Sequence, residues 1–181
     1  MVCAVWNGIY GGAMKNSKAI LLLLASLSAT AVAASPRIAV LDFELRDITS
    51  LPNTPAELAR TAGFRPLLEQ ALTDIGGYQT VAIAAEELKQ ARPSAGYLFD
   101  FNDAAAQLGR AHNADWILVT RHSKPSYLFS YLMAHLVEVK TARLVASFDI
   151  EMKGNHQKVT EHGVRALAGK IHRVIENMPS E

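Results

Sequence analysis

The stretch Arg37–Leu45, RIAVLDFEL, decides how the chain is read. Ile38, Ala39, Val40 and Leu41 run apolar without a break, and Ser35-Pro36 stands before them. A short continuous apolar run bounded this way is expected of a strand buried on both faces. Asp42, Phe43 and Glu44 close the run. Open α/β sheets bind their ligands beyond the carboxyl ends of their strands, so these carboxylates are candidates for a site. Asp42 and Glu44 are two residues apart and share a face if the strand continues; Asp47 follows shortly after. The trio Asp42, Glu44 and Asp47 is therefore one candidate site, set against the plain alternative of a solvated strand end leading into a loop.

Upstream of this strand the chain reads as an export signal. Lys15 and Lys18 form a short basic segment, the run beginning at Ala19 is apolar, and Ala31, Val32, Ala33 and Ala34 are small or fit the cleavage pattern. That is the order of a secretory signal peptide, with cleavage expected near Ala34. The 16 residues from Ala19 to Ala34 fall short of the roughly 20 that a spanning helix needs. Residues 1–13 carry no charge and sit badly before a signal, so translation is expected to start at Met14. The remaining 35–181 are expected to form one domain. Lys15 and Lys18 leave with the signal, so 18 basic residues become 16 against 17 acidic ones, a net of −1. This balance argues against a nucleic-acid binder. Cys3, the only cysteine, is lost too, which excludes a disulfide, a thiolate nucleophile and a lipid anchor on cysteine in the processed chain. The expected location is the periplasm.

Downstream, Thr54-Pro55-Ala56-Glu57 has the pattern of a capped helix start, and Gly76-Gly77 that of its end. Leu58, Ala62, Leu68, Leu72 and Ile75 are expected on its buried face, with a kink or break at Pro66. Tyr78–Ile83 reads as a strand, Ala84–Ala91 as a helix, Ser94–Phe101 as an aromatic loop, and Asp103–Ala111 as a helix capped by Asn102. Asp115–Thr120 is an apolar strand. Ser126–Lys140 and Arg143–Lys153 form an antiparallel hairpin joined near Thr141-Ala142, and Val159–Met178 is an amphipathic helix. The order β-α-β-α-α-β-β-β-α implies an α/β fold with α+β character in its C-terminal half: a mixed sheet of about five strands flanked by helices.

This order, with RIAVLDFEL at 37–45, LEQALTDIGGYQTVA at 68–82 and AAAQLGRAHNADWILVTRHSK at 104–124, resembles the superfamily of the TolB amino-terminal domain, shared with CsgG and with outer-membrane activators of penicillin-binding proteins. Within it the chain is similar to an uncharacterised secreted bacterial family. That family carries a Lys-x-Ser segment after the third strand, here Lys124-Pro125-Ser126, and ends its last strand as Glu151, Lys153, Gly154 and Asn155 do here. Its hairpin turn reads Thr-Gly where this chain has Thr141-Ala142. The resemblance implies a non-enzymatic binding or accessory domain of the cell envelope, docked to a protein partner.

Lys124, Ser126, Lys153, Gly154 and Asn155 lie at the two outer ends of the hairpin run, so an antiparallel register can bring them together as a small basic, hydrogen-bonding patch. The alternative is that they only organise the strand ends, with Gly154 and Asn155 in a turn. Tyr127, Phe129 and Tyr131 fall on one face of their strand, as core or as a shelf. His112, His122, His135, His156, His162 and His172 show no ligand spacing typical of zinc, so neither a metal nor a cofactor is expected. No phosphate loop, nucleophile elbow or triad pattern is present. The second functional reading is a periplasmic small-molecule-binding component or enzyme that uses the Asp42–Asp47 end of the sheet.

Overall fold

The computed structural model of the protein describes residues 35–154 and 156–178. The expected N-terminal extension and signal peptide, like Asn155, lie outside the described residues. The opening stretch forms two short strands, β1 (Arg37–Val40) and β2 (Glu44–Asp47). The other strands are β3 (Gln79–Val81), β4 (Trp116–Lys124), β5 (Phe129–Glu138) and β6 (Arg143–Lys153). The sheet runs β3-β1-β4-β5-β6, and β2 also pairs with β4, beyond the end of β1. β1 is parallel to β3 and β4, whereas β5 and β6 are antiparallel additions. The expected mixed sheet is therefore present, with six strands because the first is interrupted.

The interruption is a slip of one residue. Val40 lies opposite Leu118, but Glu44 lies opposite Arg121, so four steps on one side match three on the other. Side chains alternate faces with a strict period of two, so one extra residue exchanges the faces of everything that follows. Ile38 and Val40 point into the same core as Phe43, whereas unbroken alternation would have put Phe43 on the opposite face. Leu41 N–H still donates to the Leu118 carbonyl (3.0 Å), and the Thr120 hydroxyl donates to the Leu41 carbonyl (2.7 Å), so the irregular step leaves that residue hydrogen-bonded.

Helices cover both faces. On one side lie α1 (Pro55–Gly76) and α5 (Gln157–Glu176). Phe64, Leu68 and Leu72 from α1 and Val164, Leu167 and Ile171 from α5 pack on Val40, Leu118, Leu132 and Met152. On the other side are α2 (Ala85–Ala91), the single turn α3 (Tyr97–Asp100) and α4 (Asn102–Ala111). Leu88, Leu98 and Ala106 pack there on Leu41, Ile117 and Val137. Thr54 and Glu57 form the expected reciprocal cap, and Gly77 ends α1 in the left-handed conformation at φ 62°.

Several local expectations are corrected. α1 runs through Pro66 without a break. Ala62 and Pro66 both lie on its exposed side, where water can serve the carbonyl that proline leaves without a partner, and Phe64 and Leu68 anchor the helix on either side. The buried face is Thr61, Phe64, Leu68 and Leu72, while Leu58 and Ile75 are exposed. Residues 94–101 include a helical turn, and Asn102 begins α4 instead of capping it. Ala142 adopts φ 57° in the hairpin turn, which explains why glycine suits that position.

Gly109 in α4 shows how closely this helix sits on the sheet: a Cβ there would lie 2.6 Å from Val139 Cγ2. Gly109→Ala is expected to destabilise the fold by about 1–3 kcal/mol through overpacking, although alanine is the better helix former. Urea unfolding measures this, and unchanged or higher stability would contradict the close approach.

Candidate functional site

Both expected sites sit at one end of the sheet, where β2 and β4 finish beside the start of α1. Thr120, His122 and Lys124 continue along β4 on the face that Leu118 supplies to the core, so polar groups replace apolar ones toward that end. The buried Lys124 ammonium donates to Asp47 Oδ2 at 2.9 Å, Asn53 Oδ1 at 3.0 Å and Glu57 Oε1 at 2.6 Å. Its three protons are thereby used. The same Glu57 takes the Thr54 backbone N–H on Oε2, so one carboxylate joins the helix cap to the lysine. Asp47 Oδ1 accepts from the Thr49 amide and hydroxyl, which turns the chain out of β2.

These contacts set the charge states. Burial alone would raise the Asp47 carboxyl, but Thr49 and Lys124 outweigh it and hold it at about 2. Lys124, aided by the Thr54 amide, lowers Glu57 to about 2. Burial opposes the charge on Lys124, and its bonds to Glu57 and Asp47 more than restore it, so its pKa is raised.

Behind the lysine lies His122. Its Nδ1 is 2.8 Å from the Thr61 hydroxyl, which is also 3.1 Å from the Glu57 carbonyl. The hydroxyl has one proton, and the carbonyl can only accept it, so Nδ1 must be the donor to Thr61. The ring geometry turns Nε2 away from Thr61, and Nε2 is buried with no protein partner. Desolvation, reinforced by the Arg60 and Lys124 charges, lowers His122 to about 4, so the imidazole is neutral at neutral pH. Arg60 Nε donates to Thr160 Oγ1 at 2.9 Å and Nη2 to the Gly154 carbonyl at 3.2 Å, tying α1 to α5 and to the end of β6.

The expected basic patch is not what forms. Lys124 belongs to β4, and β5 separates that strand from β6. The lysine charge is neutralised by two carboxylates. Lys153 is exposed beside Glu151 at 3.9 Å, opposite Phe129. The two segments do meet elsewhere: Gly154 N–H donates to the Leu128 carbonyl at 3.1 Å, and Lys124, Ser126 and Gly154 line one small cavity. Ser126 Oγ accepts from the Leu128 and Phe129 amides, which is the strand-organising role set out as its alternative. Gly154 has φ 87°, a conformation that suits glycine.

The carboxylate trio is also dispersed. Asp42 pairs with Arg65 of α1 at 3.2 Å. Glu44, carried to the other face by the slip, accepts from the Gly96 amide at 2.9 Å and lies near Arg121 and Arg92. Asp47 holds Lys124. Asp42 and Glu44 therefore do not face each other across a cleft. Tyr127 leaves the strand that holds Phe129 and Tyr131, and its hydroxyl accepts from the Leu51 amide at 3.2 Å. The histidines are dispersed as well: His112 meets Glu87, His172 meets Tyr78, and His135 stacks on Phe99. Among the described residues no group of three or more His, Cys, Asp or Glu is placed to hold a metal ion.

Beyond Lys124 a groove of about 610 Å³ opens between the 49–54 loop, α1 and the start of α5. Leu51, Pro52, Ala56, Leu67 and the Tyr127 ring give it much of its apolar lining. Arg60, Thr61 and Asn53 were not singled out from the sequence, and His122 was weighed there only as one of six histidines for a metal. A usable signal was the run Thr120, His122, Lys124, which places polar residues at every second position of a buried strand.

The described residues thus form a mixed-sheet α/β domain with a groove at the carboxyl end of its parallel strands. The chain belongs to the family described as "Protein of unknown function (DUF2380)", whose model matches residues 36–171. No curated protein matches the sequence. Among solved structures, the chain is similar to the LpoB C-terminal domain from Salmonella enterica, with 16% identity over 66% of this chain and 83% of that one, at a TM-score of 0.46. It is similar to the PelC dodecamer from Paraburkholderia phytofirmans, with 13% identity over 80% of this chain and 90% of that one, at 0.49. It is also similar to TolB from Acinetobacter baumannii, with 12% identity over 81% of this chain and 29% of that one, at 0.48. At these identities and scores they assign no function.

Two outcomes are expected of the site. Lys124→Met leaves Asp47 and Glu57 without their shared cation and should lower unfolding stability by about 2–4 kcal/mol in urea titration, Glu57 being partly exposed. His122 is held neutral to about 4 in the folded chain, below the ordinary 6.5. The unfolded chain therefore takes up the proton first as pH falls. This contribution is complete above about 6.5 and is lost on the way down to about 4, roughly 3 kcal/mol in total. Unfolding from pH 7 to 4.5 should accordingly show a steeper loss in the wild type than in His122→Phe. The Asp47 and Glu57 contributions run in a lower window, lost as pH falls through about 2. Parallel curves for the two proteins would contradict the assigned state of His122.

Proposed function

We propose that the protein is an exported, non-enzymatic accessory protein of the cell envelope that docks to a protein partner through the Lys124 end of its sheet. The observation that carries this reading is the set of large apolar side chains displayed there. Leu128 is 78% exposed and Ile48 66% exposed, and Leu51 and Tyr127 beside them are also exposed. They lie on the two loops that Tyr127 joins, through Ser50 and the Leu51 amide. Exposed apolar residues clustered at one end are a common mark of an interaction surface. The ionisable groups around them are engaged with one another, which favours docking over catalysis. Export and the envelope location rest on the signal-like segment before Ser35 and on the resemblance to the TolB amino-terminal-domain superfamily. Among the described residues no helix is long and apolar enough to cross a membrane.

The test compares wild-type full-length protein with Leu128→Asp in affinity capture from an envelope extract. Both should have the same melting temperature within a degree or two, because Leu128 is on the surface. The wild type should retain a reproducible partner that Leu128→Asp and Leu51→Asp lose. Capture of the same proteins by all three would overturn the reading.

A further inference from the structure

A cavity of about 60 Å³ lies between Lys124 and the start of β5, and its walls include His122, Ser130, Arg60 and Gly154. It shares Glu57, Arg60, Lys124 and Tyr127 with the apolar groove. Two side chains that line it, His122 at 1% exposure and Ser130 at 5%, each carry a polar atom with no partner in the protein: Nε2 and Oγ. Buried polar atoms are nearly always hydrogen-bonded, so two at one cavity call for an explanation.

The chemistry of these atoms is complementary. His122 donates through Nδ1 to Thr61, so Nε2 offers a lone pair. Ser130 Oγ–H supplies a donor. The neighbouring cations do not serve Nε2: the Lys124 ammonium is taken by Asp47, Asn53 and Glu57, and Arg60 binds Thr160 and the Gly154 carbonyl. A guest must therefore donate to Nε2, and one that also accepts from Ser130 uses its otherwise idle Oγ–H. A hydroxyl does both with one atom. A carboxylate cannot donate. An ammonium cannot accept, and it would be drawn in beside two cations. The cavity has room for more than one water, and the groove that shares Glu57, Arg60, Lys124 and Tyr127 with it falls within the ~300–1,000 Å³ range of small-molecule sites.

We propose that this cavity and groove together bind an uncharged amphiphile, its hydroxyl held between His122 Nε2 and Ser130 Oγ and its apolar tail along Leu51, Pro52 and Leu67. Leu51 serves both the docking rim and this groove, but Ser130 is buried away from the rim, so Ser130→Ala tests the cavity apart from docking. The probe is 1-hexanol, with hexanoate and hexylammonium as charged controls. It is added to full-length protein carrying ¹⁵N-histidine at pH 7, and the His122 Nε2 resonance is followed. Hexanol should shift that resonance saturably, while both controls bind at least about tenfold more weakly. Ser130 makes no side-chain bond in the protein, so Ser130→Ala should fold normally and bind hexanol about five- to tenfold more weakly. Leu67→Glu, on the groove side alone, should weaken hexanol without altering the resonance of the free protein. No movement of His122 Nε2 would show that the cavity holds water only and would overturn the proposal. Equal binding of the three probes, or wild-type affinity in Ser130→Ala, would overturn it too.

Discussion

The end of the sheet depends on one ammonium group. Lys124 sits on β4 and draws together Asp47 at the end of β2, Asn53 in the loop that follows and Glu57 in the first turn of α1. A buried lysine is stable only when its charge and its donors are satisfied, and here both are. Because Glu57 also closes the cap of α1, the placing of a 22-residue helix on the sheet is coupled to the same group. The groove beside it is lined in part by the 49–54 loop, whose ends are tied by Thr49 to Asp47 and by Asn53 to Lys124.

The slip between β1 and β2 makes this arrangement possible. Without the extra residue, Asp47 would lie on the opposite face from Lys124, and Glu44 would point toward the lysine side. With it, Glu44 goes to Arg121 and Gly96, and Asp47 goes to Lys124. Three acidic residues that are close in sequence are thereby assigned to different cations, with none shared between them. What might have been a catalytic carboxylate pair becomes a set of structural ties. The unsatisfied chemistry moves one layer inward, to His122 and Ser130.

Much of the fold was legible because it rests on patterns with a direct physical cause. The apolar run at 38–41, the Thr54–Glu57 cap, the Gly77 stop and the alternation along 143–153 each correspond to an element in place. The slip was not legible, because a period-two reading carries no mark for an inserted residue. Pro66 misled because its cost depends on whether the freed carbonyl faces water, which only packing decides. Lys124 was found, but its charge was read as available; the groups that neutralise it lie 67 to 77 residues away in sequence. Arg60 and Thr61 escaped notice inside a helix read for its apolar residues.

The proposed function makes the Lys124 end of the sheet the docking surface. Site-specific photo-crosslinking tests it most directly, with a benzophenone amino acid placed at Tyr127 in one protein and at the exposed Asp103 of α4, on the opposite face of the sheet, in another. In intact cells, crosslinking to a partner protein should be obtained from position 127 and not from 103. Crosslinks of equal yield from both positions, or from 103 alone, would show that the partner does not dock at the Lys124 end.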